Sequence, residues 1–205
     1  MTAPTKLRPV LESGDRLTRD EFHERYSERP DIKQAELVEG VVYVALPVGF
    51  DSHGEQHALV VTWLGVYRGK HPRLRIGDNA TVRPSANSEV QPDACLWREE
   101  AGGPHLGADG FVYAAPQLVV EVAASSASYD LHDKKEAYRK AGVREYVVWR
   151  VMDGMIDWFR RRGGEYVWVA PDADGVIESE TFPGLRLDVP KLLARNVAGV
   201  LAALG

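Results

Sequence analysis

Six consecutive residues, Leu118-Val119-Val120-Glu121-Val122-Ala123, constrain this chain more than any others. They read as a short apolar strand interrupted by one carboxylate. A carboxylate in that setting is costly unless a cation, a metal or several donors meet it. Two readings stay open for Glu121 at this point. Strand alternation turns it outward on a half-exposed face or pairs it with an arginine, or else it belongs to a functional site.

The surrounding pattern is an alternation of strands and helices with a strand-rich C-terminal third, which implies a mixed α/β sheet. Tyr146-Val147-Val148-Trp149-Arg150-Val151 is the clearest strand. A length of 205 residues suits one domain, placed at residues 18–205 behind an N-terminal extension at 1–17. Thr18-Arg19-Asp20-Glu21 has capping-box spacing, so a helix begins there and Pro30 ends it. Glu36–Ala45 reads as a hairpin or bent strand about Gly40. His57–Tyr67 is apolar on nearly every side, the pattern of a buried helix. Strands are expected at Leu74–Ile76, Ala80–Arg83 and Gln91–Trp97, with a polar surface loop over residues 98–110. A helix follows over Asp130–Ala141, closed by Gly142. A hairpin over Ile156–Val169 turns at Arg162-Gly163-Gly164, and one closing helix covers Pro190–Leu204.

Charge and cysteine content exclude several function classes. The net charge is −5, with the carboxylate excess in both halves, so bulk electrostatic coating of nucleic acid is excluded and any contact must use a local patch. A single cysteine, Cys95, rules out an intramolecular disulfide framework and a multi-cysteine zinc site. It lies in an apolar stretch and reads as a small core residue. No apolar run approaches a membrane span, and the proline- and threonine-bearing start has no signal-peptide core. A soluble, cytoplasmic protein with no membrane partner is expected.

Chemistry concentrates at few positions. Asp93 follows Pro92, which removes a ladder donor at a strand start. Two strand carboxylates that converge, Asp93 and Glu121, would suit a hard divalent cation, which wants carboxylate oxygens and keeps positions open for phosphate. Lys134 and Lys135 lie on the following helix. A lysine there stabilises developing charge on a phosphoryl group, although lysines beside Asp133 and Glu136 also read as a solvated face. His53 and His57 stand four apart, as on one helix face, which leaves open a two-histidine transition-metal site. The other readings are that either ring simply caps or packs, or that His53 sits beside a phosphate-binding site. Arg73 and Arg75, with Arg160-Arg161-Arg162, are candidate phosphate contacts or solvated charge. No nucleophile elbow and no phosphate-cradling glycine loop occurs.

Taken in order, Pro92-Asp93, Glu121-Val122 and Asp130-x-x-x-Lys134-x-x-x-Tyr138-x-x-x-Gly142-Val143-x-Glu145-Tyr146 resemble the Uma-two family of restriction-endonuclease-like proteins, placed in the PD-(D/E)XK nuclease superfamily. Glu36-Leu37-Val38-Glu39-Gly40 and the helix introduced by His53 match the family's usual opening. The resemblance spans roughly residues 18–205. It implies a restriction-endonuclease-like core sheet flanked by helices, with an added C-terminal β-hairpin region. It also implies metal-dependent hydrolysis of DNA phosphodiester bonds by an activated water, with Mg²⁺ or Mn²⁺ as the cofactor. Carried over by position, Asp93 and Glu121 are metal ligands and Lys134 is the catalytic lysine. Glu36 and His53 support them, and Arg73, Arg75 and Lys135 are nucleic-acid contacts. A homodimer would serve duplex cutting, and the strand-rich C-terminal third offers an edge for it.

Two positions depart from the pattern. The superfamily lysine usually stands two residues after the glutamate, where this chain has Ala123. The family's Ser-Pro-Ser/Thr after the strand reads Ala124-Ser125-Ser126. A competing reading therefore keeps the fold but makes it a nucleic-acid or protein interaction module with a weakened site.

Overall fold

The computed structural model describes residues 10–45, 49–124 and 126–205. Helix α1 (Arg19–Ser27) starts at the expected capping box. The Thr18 hydroxyl accepts the Glu21 N–H, and the Glu21 carboxylate accepts the Thr18 N–H. The helix ends at Ser27, ahead of Pro30, and buries Phe22. Strands β1 (Ala35–Val38) and β2 (Val41–Val44) form the expected hairpin. Glu39 and Gly40 both take positive φ, the backbone a tight two-residue turn demands. Residues 10–17 pack along β2: Gly14 N–H donates to the Val42 carbonyl, Leu17 N–H to the Gly40 carbonyl, and Leu11 is buried. Positions 1–9 of the extension lie outside the described residues, as does Ser125.

A π-helical turn (Phe50–Gly54) leads into α2 (Glu55–Lys70). This helix was expected to be covered all round. It instead buries one side, with Leu59, Trp63, Leu64 and Tyr67, and leaves Val66 exposed. Next come β3 (Leu74–Asp78), β4 (Val82–Ser85), β5 (Ser88–Val90) and β6 (Ala94–Arg98). The expected strand over Gln91–Trp97 is β6, which begins only after Pro92 and Asp93 and runs on to Arg98; β5, ending at Val90, precedes it. The supposed loop at 98–110 contains β7 (His105–Leu106), which pairs with β8 (Val112–Tyr113).

Strand β9 (Leu118–Ala123) is followed by a short helix α3 (Ala127–Tyr129), a second π-helical turn (Asp130–Lys134) and α4 (Lys135–Ala141). Gly142 closes α4 in the left-handed conformation, as expected. Strands β10 (Glu145–Arg150), β11 (Met155–Arg162) and β12 (Glu165–Trp168) come next, the last two turned by Gly163-Gly164. A separate ribbon pairs β13 (Val176–Glu178) with β14 (Arg186–Asp188). The closing helix is split into α5 (Val189–Leu193) and α6 (Val197–Ala202). The break has a local cause: Arg195 takes a positive φ, and the Asn196 side chain caps α6 by accepting the Gly199 N–H.

The strands outside the ribbon make two six-stranded sheets, ordered β2-β1-β5-β4-β8-β7 and β12-β11-β10-β9-β6-β3. In the second, β9 and β10 are parallel and Glu121 stands opposite Val148. Alternation along β9 sorts its side chains between two cores. Leu118, Val120 and Val122 join α2, the ribbon and the closing helices. Val119 and Ala123 join Ala137, Tyr138 and Tyr146, together with Val38, Val82 and Val90 from the first sheet. Both faces are covered, which is why the run lacks polar alternation. Glu121 falls on the second face, under α4 and the first sheet. No described helix is long and apolar enough to cross a membrane.

Candidate active site

The site lies where the start of β6, the end of β9 and the N-terminal half of the α3–α4 segment meet β1. Pro92 keeps Asp93 out of the ladder, and the freed carboxylate turns back into the fold. Its Oδ2 accepts the Val122 N–H at 2.7 Å, and its Oδ1 lies 3.0 Å from His53 Nε2. Burial alone would raise the Asp93 carboxyl, but hydrogen bonding and charge from His53, then the Val122 N–H, hold it below the ordinary carboxylate value.

Glu121 is 3% exposed, so the outward-facing reading does not hold. Its Oε1 accepts from Lys134 Nζ at 2.8 Å and from the Tyr138 hydroxyl at 3.0 Å. Its Oε2 has only a long 3.4 Å contact from the Asp93 N–H. Burial drives the Glu121 carboxyl well above its ordinary pKa, with the Lys134 charge opposing.

Lys134 is not on a solvated face. The residue is 3% exposed, and its ammonium lies 3.0 Å from Glu36 Oε2 and approaches Asp130 Oδ1 at 3.9 Å. Burial alone would lower its pKa. The carboxylates of Glu121, Glu36 and Asp130 outweigh that and hold the ammonium charged. Glu36 is itself fixed, with its Oε1 accepting the Gln91 N–H at 2.7 Å.

Among the described residues, the two π-helical turns are the segments that deliver His53 in one case and Asp130 and Lys134 in the other. Such turns carry an extra residue and re-aim the side chains after it. Together these groups line a cavity of about 250 Å³, with Tyr43 and Tyr129 also on its wall. Glu36, Asp93, Glu121 and Asp130 present four carboxylates there, against the Lys134 ammonium and the His53 imidazole. Burial lifts Asp130 to about 6. A buried surplus of carboxylate oxygens, with Glu121 and Asp130 pushed toward their protonated forms, fits a divalent cation.

The other candidates sit elsewhere. Lys135 lays its ammonium 4.3 Å from the centroid of the Phe159 ring and does not line the cavity. Arg75 pairs with Trp97 in the β3–β6 ladder and lies 3.3 Å from Glu99. It and exposed Arg73 are therefore at the end of β6 away from Asp93. Cys95 is fully buried. Glu145, part of the motif, holds the ribbon region: it accepts from the Ser179 hydroxyl at 2.6 Å and from the Glu180 N–H at 2.9 Å. Asp130 and Tyr138 were given no site role from sequence. Their spacing from Lys134, four residues either way, was the available signal that all three gather on one side of the segment.

Residues 19–190 match the profile of the Uma2 family, described as "Putative restriction endonuclease". The chain belongs to the Uma2 family. Its fold is that of a crystal structure from Anabaena variabilis ATCC 29413 described as "a putative nuclease belonging to DUF820". The TM-score is 0.67 at 15% identity, covering 87% of this chain and 98% of that one. A looser likeness, to the type IIG restriction endonuclease BpuSI, has a TM-score of 0.38 at 12% identity, over 78% of this chain and 18% of that one. A search of curated proteins found no match.

For this Uma2 chain, the fold also shows what surrounds Ala123, the position of the departure noted in the sequence. Ala123 follows Glu121 on the same face of β9 and is fully buried against the second core. The Lys134 ammonium reaches Glu121 from the helical segment that covers that face.

Proposed function

We propose that the protein is a divalent-metal-dependent endonuclease that hydrolyses DNA phosphodiester bonds, acting in the cytoplasm with Mg²⁺ or Mn²⁺. The supporting observation is the convergence of Asp93, Glu121 and Lys134 on one cavity, with Lys134 Nζ 2.8 Å from Glu121 Oε1. A drifted site in an interaction module would not need to hold three separate elements in that register.

Asp93 and Glu121 would hold the metal. A bound divalent ion there polarises a phosphoryl oxygen and lowers the pKa of an attacking water. Each carboxylate keeps one oxygen anchored by the protein: Asp93 Oδ2 on the Val122 N–H, and Glu121 Oε1 on Lys134 and Tyr138. That leaves Asp93 Oδ1 and Glu121 Oε2 as the less committed donors. Lys134 keeps its proton, so it serves as a donor to the attacking water or the phosphoryl oxygens and not as a base. Glu36 steadies the ammonium from the far side. Duplex cutting would use two copies, and β12, an edge strand with exposed Val167 and Trp168, is the edge we assign to a homodimer.

The test is an assay on plasmid and single-stranded DNA with Mg²⁺ or Mn²⁺, with Asp93→Ala and Lys134→Ala alongside. Cleavage lost in both variants and with EDTA supports the reading. Cleavage that survives in both places the chemistry elsewhere, and absence of both cleavage and metal binding favours the interaction module.

A further inference from the structure

Two histidines face Asp93, and their hydrogen bonds distinguish them. Among the described residues, donor atoms of His53, His57 and Asp93 are the group of three that lie within 4.8 Å of one another. His57 Nε2 lies 2.9 Å from the Asp93 carbonyl oxygen and 2.9 Å from Asp78 Oδ1. These two near partners are acceptors, against one amide donor, Asn79 Nδ2, at the longer distance of 3.5 Å, so the nitrogen is assigned the proton and has no lone pair for a metal. His57 is a strut: it ties α2 to the backbone of Asp93 and to the end of β3.

His53 differs. Its Nε2 faces the side chain of Asp93, not its backbone, and the ring lines the cavity. The Nε2–Oδ1 separation is 3.0 Å. Two neighbouring ligands of an octahedral ion, each about 2.1 Å from the metal at a right angle, stand about 3.0 Å apart. The separation therefore suits two neighbouring ligands of one ion, which would lie off the line between them, so the His53 ring turns by roughly 45° to aim its lone pair at it. The other oxygen of Asp93 is already held by the Val122 N–H, so Oδ1 is the one left to ligate.

We propose that His53 is a direct metal ligand paired with Asp93, making the centre a mixed nitrogen–oxygen site selective for first-row transition ions such as Mn²⁺ over Mg²⁺. Imidazole suits borderline transition metals, whereas Mg²⁺ prefers an all-oxygen shell. The proposal rests on the metal-centre reading above and specifies which residues ligate and which ion they select.

The experiment is pulsed electron paramagnetic resonance on the full chain loaded with Mn²⁺, read for coupling to a ¹⁴N nucleus. Titration calorimetry with Mn²⁺ and Mg²⁺ runs on wild type, His53→Gln and His57→Gln. The expected result is nitrogen coupling in wild type and in His57→Gln, absent in His53→Gln, with Mn²⁺ binding weakened about tenfold or more by His53→Gln and Mg²⁺ binding changed less. Mn²⁺ binding without nitrogen coupling overturns the inference and leaves a carboxylate centre, and so the nuclease reading, standing. Coupling that persists in His53→Gln overturns it in favour of another histidine. Absence of Mn²⁺ binding overturns both. The wild-type spectrum decides nitrogen ligation without a variant, and His57→Gln, which removes a neighbouring packed histidine, controls the assignment to His53.

Discussion

Lys134 Nζ and Glu121 Oε1 are 2.8 Å apart although one residue sits in the central sheet and the other in the helical segment laid over it. Both are buried but for the cavity they line, so each is a principal charge partner of the other. Removing one partner of such a pair leaves an uncompensated buried charge. Lys134→Met should therefore destabilise the fold by about 3–5 kcal/mol, with denaturant unfolding as the measurement. A loss below about 1 kcal/mol would mean that the ammonium is not buried among carboxylates.

Tyr138 donates to the same Glu121 oxygen at 3.0 Å from within the second core. Tyr138→Phe keeps the ring and removes the donor. We expect a cost of about 1–2 kcal/mol in denaturant unfolding. In the same variant Glu121 should hold its proton to higher pH, because the charged carboxylate loses a donor. An unchanged titration by carboxyl-detected NMR would contradict that.

These two residues also show what the sequence made legible. Glu121 was conspicuous because a carboxylate inside an apolar run is costly wherever it is placed, and Thr18 and Glu21 displayed a complete cap within four residues. Lys134 and Asp130 were not conspicuous. On a helix dense with charge, local spacing fits a solvated face as well as a buried one, and only the first sheet packing over the helix decides between them. Ser88–Val90 and His105–Leu106 were missed because strands this short have no periodicity to read, and pairing alone defines them. The split of the closing helix turns on Asn196, a cap hidden in an otherwise continuous apolar pattern.

Asp130 gives a pH signature. Burial lifts its carboxyl to about 6 from an ordinary 3.8, with the Lys134 charge opposing. Between those values the folded protein holds a proton that the unfolded chain has released. The stabilising contribution is therefore complete below about pH 4 and lost as pH rises through 6. With EDTA present, Asp130→Asn should gain on wild type, on the order of 2–3 kcal/mol, between pH 4 and pH 8. Parallel stability–pH curves for the two proteins would contradict the assignment.

Metal binding should compete with those protons. At pH 6, Mn²⁺ should bind with net proton release, measured as a dependence of the calorimetric heat on the ionisation enthalpy of the buffer. Saturating Mn²⁺ should also raise the melting temperature, increasingly with concentration. Asp93→Asn should abolish both effects. A buffer-independent heat would mean that Glu121 and Asp130 are already ionised without the ion.

The π-helical turn at Asp130–Lys134 works as a phase shifter. A residue advances an α-helix by about 100°, so one inserted position rotates everything beyond it by more than a quarter of a circle. The turn itself presents Asp130 and Lys134 to the cavity, and the residues beyond it present Ala137 and Tyr138 to the second core. Shortening the turn by one residue would restore an uninterrupted helix, which could keep the cavity face or the core face in alignment but not both. The segment's departure from regular geometry is thus what lets a single helical arm serve a charged chamber and a greasy floor at once.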